Sequence, residues 1–118
     1  STKLHDELMA SRKLPKAGMS NAAIEQQMVA AANNEGWNDK FLKAIITSSS
    51  WKIEKNSLTS VIMYRYLSAV CTIKSPDGKC YYQEFTFRQD YAGNGNYDSK
   101  IKFNSYGGKK EIGCDKLK

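Results

Sequence analysis

SPDGKCYYQEFTFRQDY, residues 75–91, joins a turn signal to a run dense in aromatic rings. Pro76 occupies the second turn position and Gly78 a left-handed one. Ser75–Gly78 therefore reads as a type I turn closed by a glycine bulge. Counting outward from that turn pairs Ile73 with Tyr81, Ala69 with Phe85, Leu67 with Phe87 and Tyr66 with Arg88. The odd-numbered face then carries Val61, Met63, Leu67, Ala69, Cys71, Ile73, Tyr81, Phe85 and Phe87, with Arg65 and Gln83 as exceptions. The even-numbered face carries Tyr64, Tyr66, Ser68, Thr72, Tyr82, Glu84, Thr86 and Arg88. A slip of one residue would bury Glu84 and Arg88, so the cost of burying charge selects this register. Phe85 and Phe87 are expected in a core beneath helices, and Tyr64, Tyr66 and Tyr82 on a polar face, where tyrosines also stabilise a sheet through cross-strand pairs.

Outward from the hairpin the period stays at two. Trp51–Lys55 alternates, Asn56-Ser57 is a turn, and a long strand runs from Thr59 to Lys74. Beyond Tyr91, Ala92–Asn96 reads as a glycine- and asparagine-rich loop, followed by a strand over Lys100–Tyr106. Gly107-Gly108 reads as a turn into a short last strand, Lys110–Cys114. Toward the N-terminus the period lengthens. Leu4 and Leu8 mark a short amphipathic helix before Pro15. Ser20 or Asn21 caps a second helix with Ile24, Met28 and Ala31 or Ala32 as its apolar stripe, and Gly36 ends it. Phe41, Leu42, Ile45 and Ile46 have helical spacing, so a third helix is expected over 40–48, capped by Asn38 or Asp39 and stopped by Ser48–Ser50. The 118 residues make one domain, with a helical part over 1–48 and an antiparallel sheet over 51–115.

The net charge is +6, with the half from residue 61 onward the more basic. That biases encounters toward anionic partners. The lysines are spread singly, which disfavours nucleic acid as the partner. No apolar run reaches the roughly 18–20 residues of a membrane helix. The N-terminus lacks the apolar region of a signal peptide, which fits a cytoplasmic start or a mature one after processing. Three cysteines without a CxxC pair, beside a single histidine, do not make a zinc site. If the protein is extracytoplasmic, one disulfide plus one buried thiol is expected; if it is cytoplasmic, three free thiols. Cys71 faces the core and Cys80 the other face, so these two should not bridge. Cys80–Cys114 is the favoured pairing.

Two or three helices followed by a strongly bent antiparallel meander resembles the cystatin-like and NTF2-like α+β architecture, common among small bacterial secreted proteins and lipoproteins. The resemblance lies in element order. It implies N-terminal helices packed on the concave face of a bent four- to five-stranded antiparallel sheet. Cystatins inhibit proteases through a Gln-x-Val-x-Gly hairpin that this chain lacks. NTF2-like enzymes place Asp, His or Tyr in the cone, whereas the only histidine here, His5, lies in the N-terminal segment. No nucleophile–base set emerges. Glu84 and Asp90 share a face but lie about 20 Å apart along a strand, too far for paired acid–base work. No catalytic residue, cofactor or metal is therefore assigned.

The expected function is a non-catalytic binding or structural module, extracytoplasmic and engaging a protein. Its surface is the exposed sheet face and the 93–97 loop: Tyr64, Tyr66, Tyr82, Arg88, Asn94 and Tyr97. Tyrosine and arginine anchor protein contacts more often than other residues. An NTF2-like small-molecule pocket between helices and sheet is the alternative. A single-stranded nucleic-acid binder is the third, since FTFRQ with Tyr81 and Tyr82 resembles the aromatic strand of RNA-recognition sheets without its glycines. Oligomerisation stays open.

Overall fold

The computed structural model describes residues 2–117. Two helices, α1 (Thr2–Ser11) and α2 (Ala22–Asn33), precede six strands: β1 (Lys40–Ile46), β2 (Lys52–Lys55), β3 (Ile62–Lys74), β4 (Cys80–Gly93), β5 (Asn96–Tyr97) and β6 (Lys102–Ile112). A 3-10 turn over Cys114–Leu117 ends the described chain. The fold is α+β with a curled antiparallel sheet. β3 and β4 are its spine; β1 and β2 both pair with β3, while β6 and β5 pair with β4.

The register read from the Pro-Asp-Gly turn holds along the whole β3–β4 ladder. Ile73 faces Tyr81, Ala69 faces Phe85, Leu67 faces Phe87 and Tyr66 faces Arg88. Gly78 takes φ +85° and donates its N–H to Ser75 O, and Asp77 Oδ1 accepts from Lys79 N, so each turn residue does what its chemistry suits. Helix α2 starts as expected. Asn21 Oδ1 accepts from Ile24 N, and Glu25 Oε2 reaches back to Asn21 N, so two end donors are satisfied reciprocally. Met28 and Ala32 of α2 pack into a core of Phe41, Ala44, Ile46, Leu67, Ala69, Cys71, Ile73, Phe85, Phe87 and Ile101.

Four expectations are corrected. Residues 40–46 form strand β1, not a third helix. A bulge between Phe41 and Lys43 breaks the strand's alternation, burying Phe41, Ala44 and Ile46 while Leu42 faces out. The helix-like spacing comes from apolar residues on both faces of the strand: Phe41 and Ile46 enter the main core, while Ile45 packs on the opposite face against Val70 and Tyr82. What holds the strand is tertiary: β3 offers its edge over Ala69–Lys74, and the Asn33 amide completes the other side by donating to Phe41 O (3.0 Å) and accepting from Phe41 N (2.9 Å).

Second, Gly107-Gly108 is no turn. β6 runs through it unbroken, with an irregularity opposite Glu84. A Cβ on Gly107 would stand 3.1 Å from Glu84 Oε2, so glycine leaves room there for the Glu84 side chain. Third, α1 buries no residue and does not help fill the concave face, which belongs to α2. Fourth, the apolar face outruns its cover: Val61 and Met63 are exposed beyond α2.

Candidate binding face

The outer face of the sheet is divided by what crosses it. At one end Val70, Cys80, Tyr82 and Ile112 form a second small core, with Leu14, Ile45 and Leu117 packed against it. Tyr82 is 8% exposed and leaves the candidate surface. The alternation of β4 gave no sign of this, because the covering residues come from both ends of the chain. The Cys80–Cys114 disulfide ties the C-terminal segment down there (Cα–Cα 5.2 Å), as the pairing argument expected. Cys71 stays in the main core as a free thiol, and burial pushes its pKa up to about 12. It carries no thiolate near neutral pH and is a poor nucleophile.

The other end of the outer face is open, and cross-strand pairing writes its chemistry in rows. Lys52 pairs with Tyr66, Tyr66 with Arg88 and Arg88 with Lys102, a row across four strands. Glu54, Tyr64 and Asp90 form the next row toward the β2–β3 turn. Ser68, Thr86 and Ser105 form the row behind, with Thr86 and Ser105 hydroxyls 2.6 Å apart and Asn104 donating to Thr86 Oγ1.

Asp90 organises the charge. Lys102 Nζ donates to Asp90 Oδ2 (2.8 Å) and Arg88 Nε to Oδ1 (3.0 Å), while Arg88 Nη1 donates to Phe103 O (2.8 Å). The Lys102 ammonium, with Arg88 beside it, holds the Asp90 carboxyl below its usual pKa. Lys52, Arg88 and Lys102 against Asp90 and Glu54 leave the two rows net positive. The Arg88 guanidinium lies 5.9 Å from the Tyr64 ring, and the Tyr64 and Tyr66 rings are 6.2 Å apart. Three of the six residues singled out from sequence, Tyr64, Tyr66 and Arg88, therefore converge.

Asn94 and Tyr97 lie elsewhere. Asn94 (φ +55°) and Gly95 (φ +77°) form a two-residue turn between β4 and β5, so the expected loop is a tight hairpin. Tyr91 stiffens it by accepting Gly95 N on its hydroxyl, 2.8 Å, and by meeting the Tyr97 ring at 5.2 Å. Tyr97 shares the odd-numbered face with Arg65. The Arg65 guanidinium is held between the Trp51 ring (4.2 Å) and the Tyr97 ring (4.5 Å), and donates twice to Gln89 Oε1. Gln89 in turn donates to Ser99 O. An arginine among apolar neighbours thus closes the open end of the core. The signal was visible as an exception in the alternation, but its partner rings were not.

Sequence reading also missed Trp37. Its ring meets Phe41, Phe85, Phe103 and Tyr106 at 5.5–5.9 Å, and Tyr106 is 65% exposed. Between α2 and β6 an open groove of about 560 Å3 is lined by Gln27, Asn34, Arg88, Lys100, Lys102 and Phe103. Arg88 and Lys102 belong to both the groove and the outer row. Among the described residues no group of three or more His, Cys, Asp or Glu could hold a metal ion, and no buried side-chain nitrogen or oxygen lacks a partner. No helix among the described residues is long and apolar enough to cross a membrane. Comparison with family models, curated proteins and solved structures finds no match.

Proposed function

We propose that this chain is a non-catalytic binding module of cystatin-like or NTF2-like architecture, acting outside the cytoplasm on a protein partner. One observation carries the reading. Tyr64, Tyr66 and Arg88 stand close together on the central strands β3 and β4, in two adjacent rows that are net positive. Aromatic rings and a guanidinium ordered in advance lose little side-chain entropy on binding, which is what contact anchors need. The Asn94 hairpin, stiffened by Tyr91, is a second contact element. The disulfide supports an oxidising compartment, where such bonds persist.

A photo-crosslinking residue at Tyr66 tests this, with one at Leu42 as a control in a different part of the surface. In extracts from the native compartment, the Tyr66 probe is expected to capture one protein partner, and Arg88→Glu to abolish the capture. Equal capture by both probes, or capture indifferent to Arg88→Glu, would refute the reading. The groove favours a second reading, a pocket for a small anion-bearing ligand, because Lys100, Lys102 and Arg88 line it beside the amides of Gln27 and Asn34 and outnumber its one acid, Glu35.

A further inference from the structure

The β2–β3 hairpin ends in an apolar tip that none of the described residues covers. Leu58 is 92% exposed, and Ile53, Val61 and Met63 are exposed with it. No ionisable acid or base other than Tyr64 lies between Lys55 and Arg65. The tip is also ordered by its own hydrogen bonds. Asn56 Oδ1 accepts from Leu58 N (2.9 Å) and Thr59 N (3.0 Å), and Asn56 O accepts from Ser60 N (2.9 Å). Val61 O accepts from Asn56 N, and Thr59 Oγ1 from Val61 N. Five of the backbone donors from 56 to 61 are thus satisfied within the loop.

This matters because hydrocarbon supplies no partner for a bare amide, and each one left unpaired there costs several kcal/mol. A loop that satisfies most of its own donors while holding a leucine outward meets an apolar boundary at a reduced cost. The residues behind the tip carry the charge an anionic surface attracts. Lys55 pairs with Ile62 directly behind the apolar loop, and Lys52 lies farther along β2, opposite Tyr66. A lysine beside an anionic bilayer is attracted to its surface. Glu54 is the one acid in this stretch of β2.

We infer that the β2–β3 hairpin docks the protein on an anionic lipid surface, with Leu58 and Val61 entering the headgroup boundary. Charge decides against a second copy as the occupant. Two tips packed together would bring Lys52 and Lys55 against their own equivalents, in a protein of net charge +6. The inference shares Lys52 with the Tyr66–Arg88 row but rests on the tip, so Leu58→Asp tests it apart from that row.

The test is co-sedimentation of the full chain with vesicles of phosphatidylcholine alone, and of equal parts phosphatidylcholine and phosphatidylglycerol. The protein is expected to sediment with the mixed vesicles and far less with the neutral ones. Leu58→Asp should weaken the partition by roughly ten- to a hundredfold, the range for returning a buried leucine to water. Lys52→Ala with Lys55→Ala should weaken it by roughly thirtyfold, about fivefold for each charge at the surface. Because Leu58 touches little but solvent, its variant should melt like the parent; Val61→Ser is the second variant. A polarity-sensitive dye on Leu58→Cys should shift to the blue on mixed vesicles only, with buried Cys71 unlabelled.

Absence of binding to mixed vesicles overturns the inference. So does binding that Leu58→Asp leaves unchanged, which is adsorption by general basicity. A protein-concentration-dependent dye shift without lipid, paired with a dimer that Leu58→Asp dissolves, assigns the tip to a second copy and also overturns it.

Discussion

Replacing Cys80 with alanine and Cys114 with serine opens a loop whose ends are 34 residues apart. In the chain-entropy account the bridge stabilises the fold by restricting the unfolded chain, and a loop of that length corresponds to about 4 kcal/mol at 25 °C. An unfolding entropy of about 2.1 cal/mol/K per residue converts this into a fall in Tm of roughly 15 °C. Urea titration followed by tryptophan fluorescence measures the loss, because Trp37 and Trp51 both pack on core rings or charges that unfolding releases. Reductant should bring the parent down to the double variant and leave the variant where it is. Alkylation gives an independent count. The unfolded, unreduced protein should accept one alkyl group, on Cys71, and the reduced protein three. A variant within about 1 kcal/mol of the parent would refute the loop-entropy reasoning. It would mean that the bridge follows from the packing of Leu117 and Ile112 over Tyr82 and adds nothing to it. A variant that loses further stability in reductant would place the effect on some other group.

Two further outcomes follow from the geometry. Gly18 donates its N–H to Ile46 O at 2.8 Å, and a Cβ there would collide with the carbonyl oxygens of Thr47 and Ser48. Gly18→Ala should therefore destabilise by roughly 1–3 kcal/mol in the same urea assay, since backbone must move to make room; an unchanged midpoint would contradict the close approach. Lys109, helped by Ser75, holds Asp39 below its usual pKa, and Lys102, helped by Arg88, does so for Asp90. Unfolded aspartate titrates near 3.9, so the stability these pairs supply is fully present above that value and is lost as pH falls through the lower folded pKa. Tm is expected to fall between about pH 5 and pH 3, and less steeply in Asp39→Asn/Asp90→Asn; equal slopes would show that the pairs are screened to insignificance.

The sheet face and its register were legible because each depends on neighbours in sequence; the disulfide was legible only in part, since alternation excluded Cys71–Cys80 and left Cys114 to bridge one of them. Ser75–Gly78 sets one hairpin, and pleating then assigns every side chain of β3 and β4 to a face. Alternation also placed Tyr66 opposite Arg88 and put Cys71 and Cys80 on opposite sides, which left Cys114 as the bridge. What misled the reading was everywhere a local pattern answering to a distant partner. Lys40–Ile46 has helical spacing, yet the free edge of β3 and the amide of Asn33 make it a bulged strand. Gly107-Gly108 looks like a turn, yet pairing with β4 carries β6 through it. Tyr82 alternates outward with Tyr64 and Tyr66, yet Leu14 and Leu117 arrive from opposite ends of the chain to bury it. The Arg65 clamp, the Trp37 ring cluster and the bare Leu58 tip belong to the same class. In β3 and β4 the amino-acid order alone assigned every side chain to a face, because the pleat has a period of two and needs no third party. Which outward faces meet water, and where bulges break the period in β1 and β6, followed from packing, because the covering and pairing segments lie at distances along the chain that leave no trace in the local pattern.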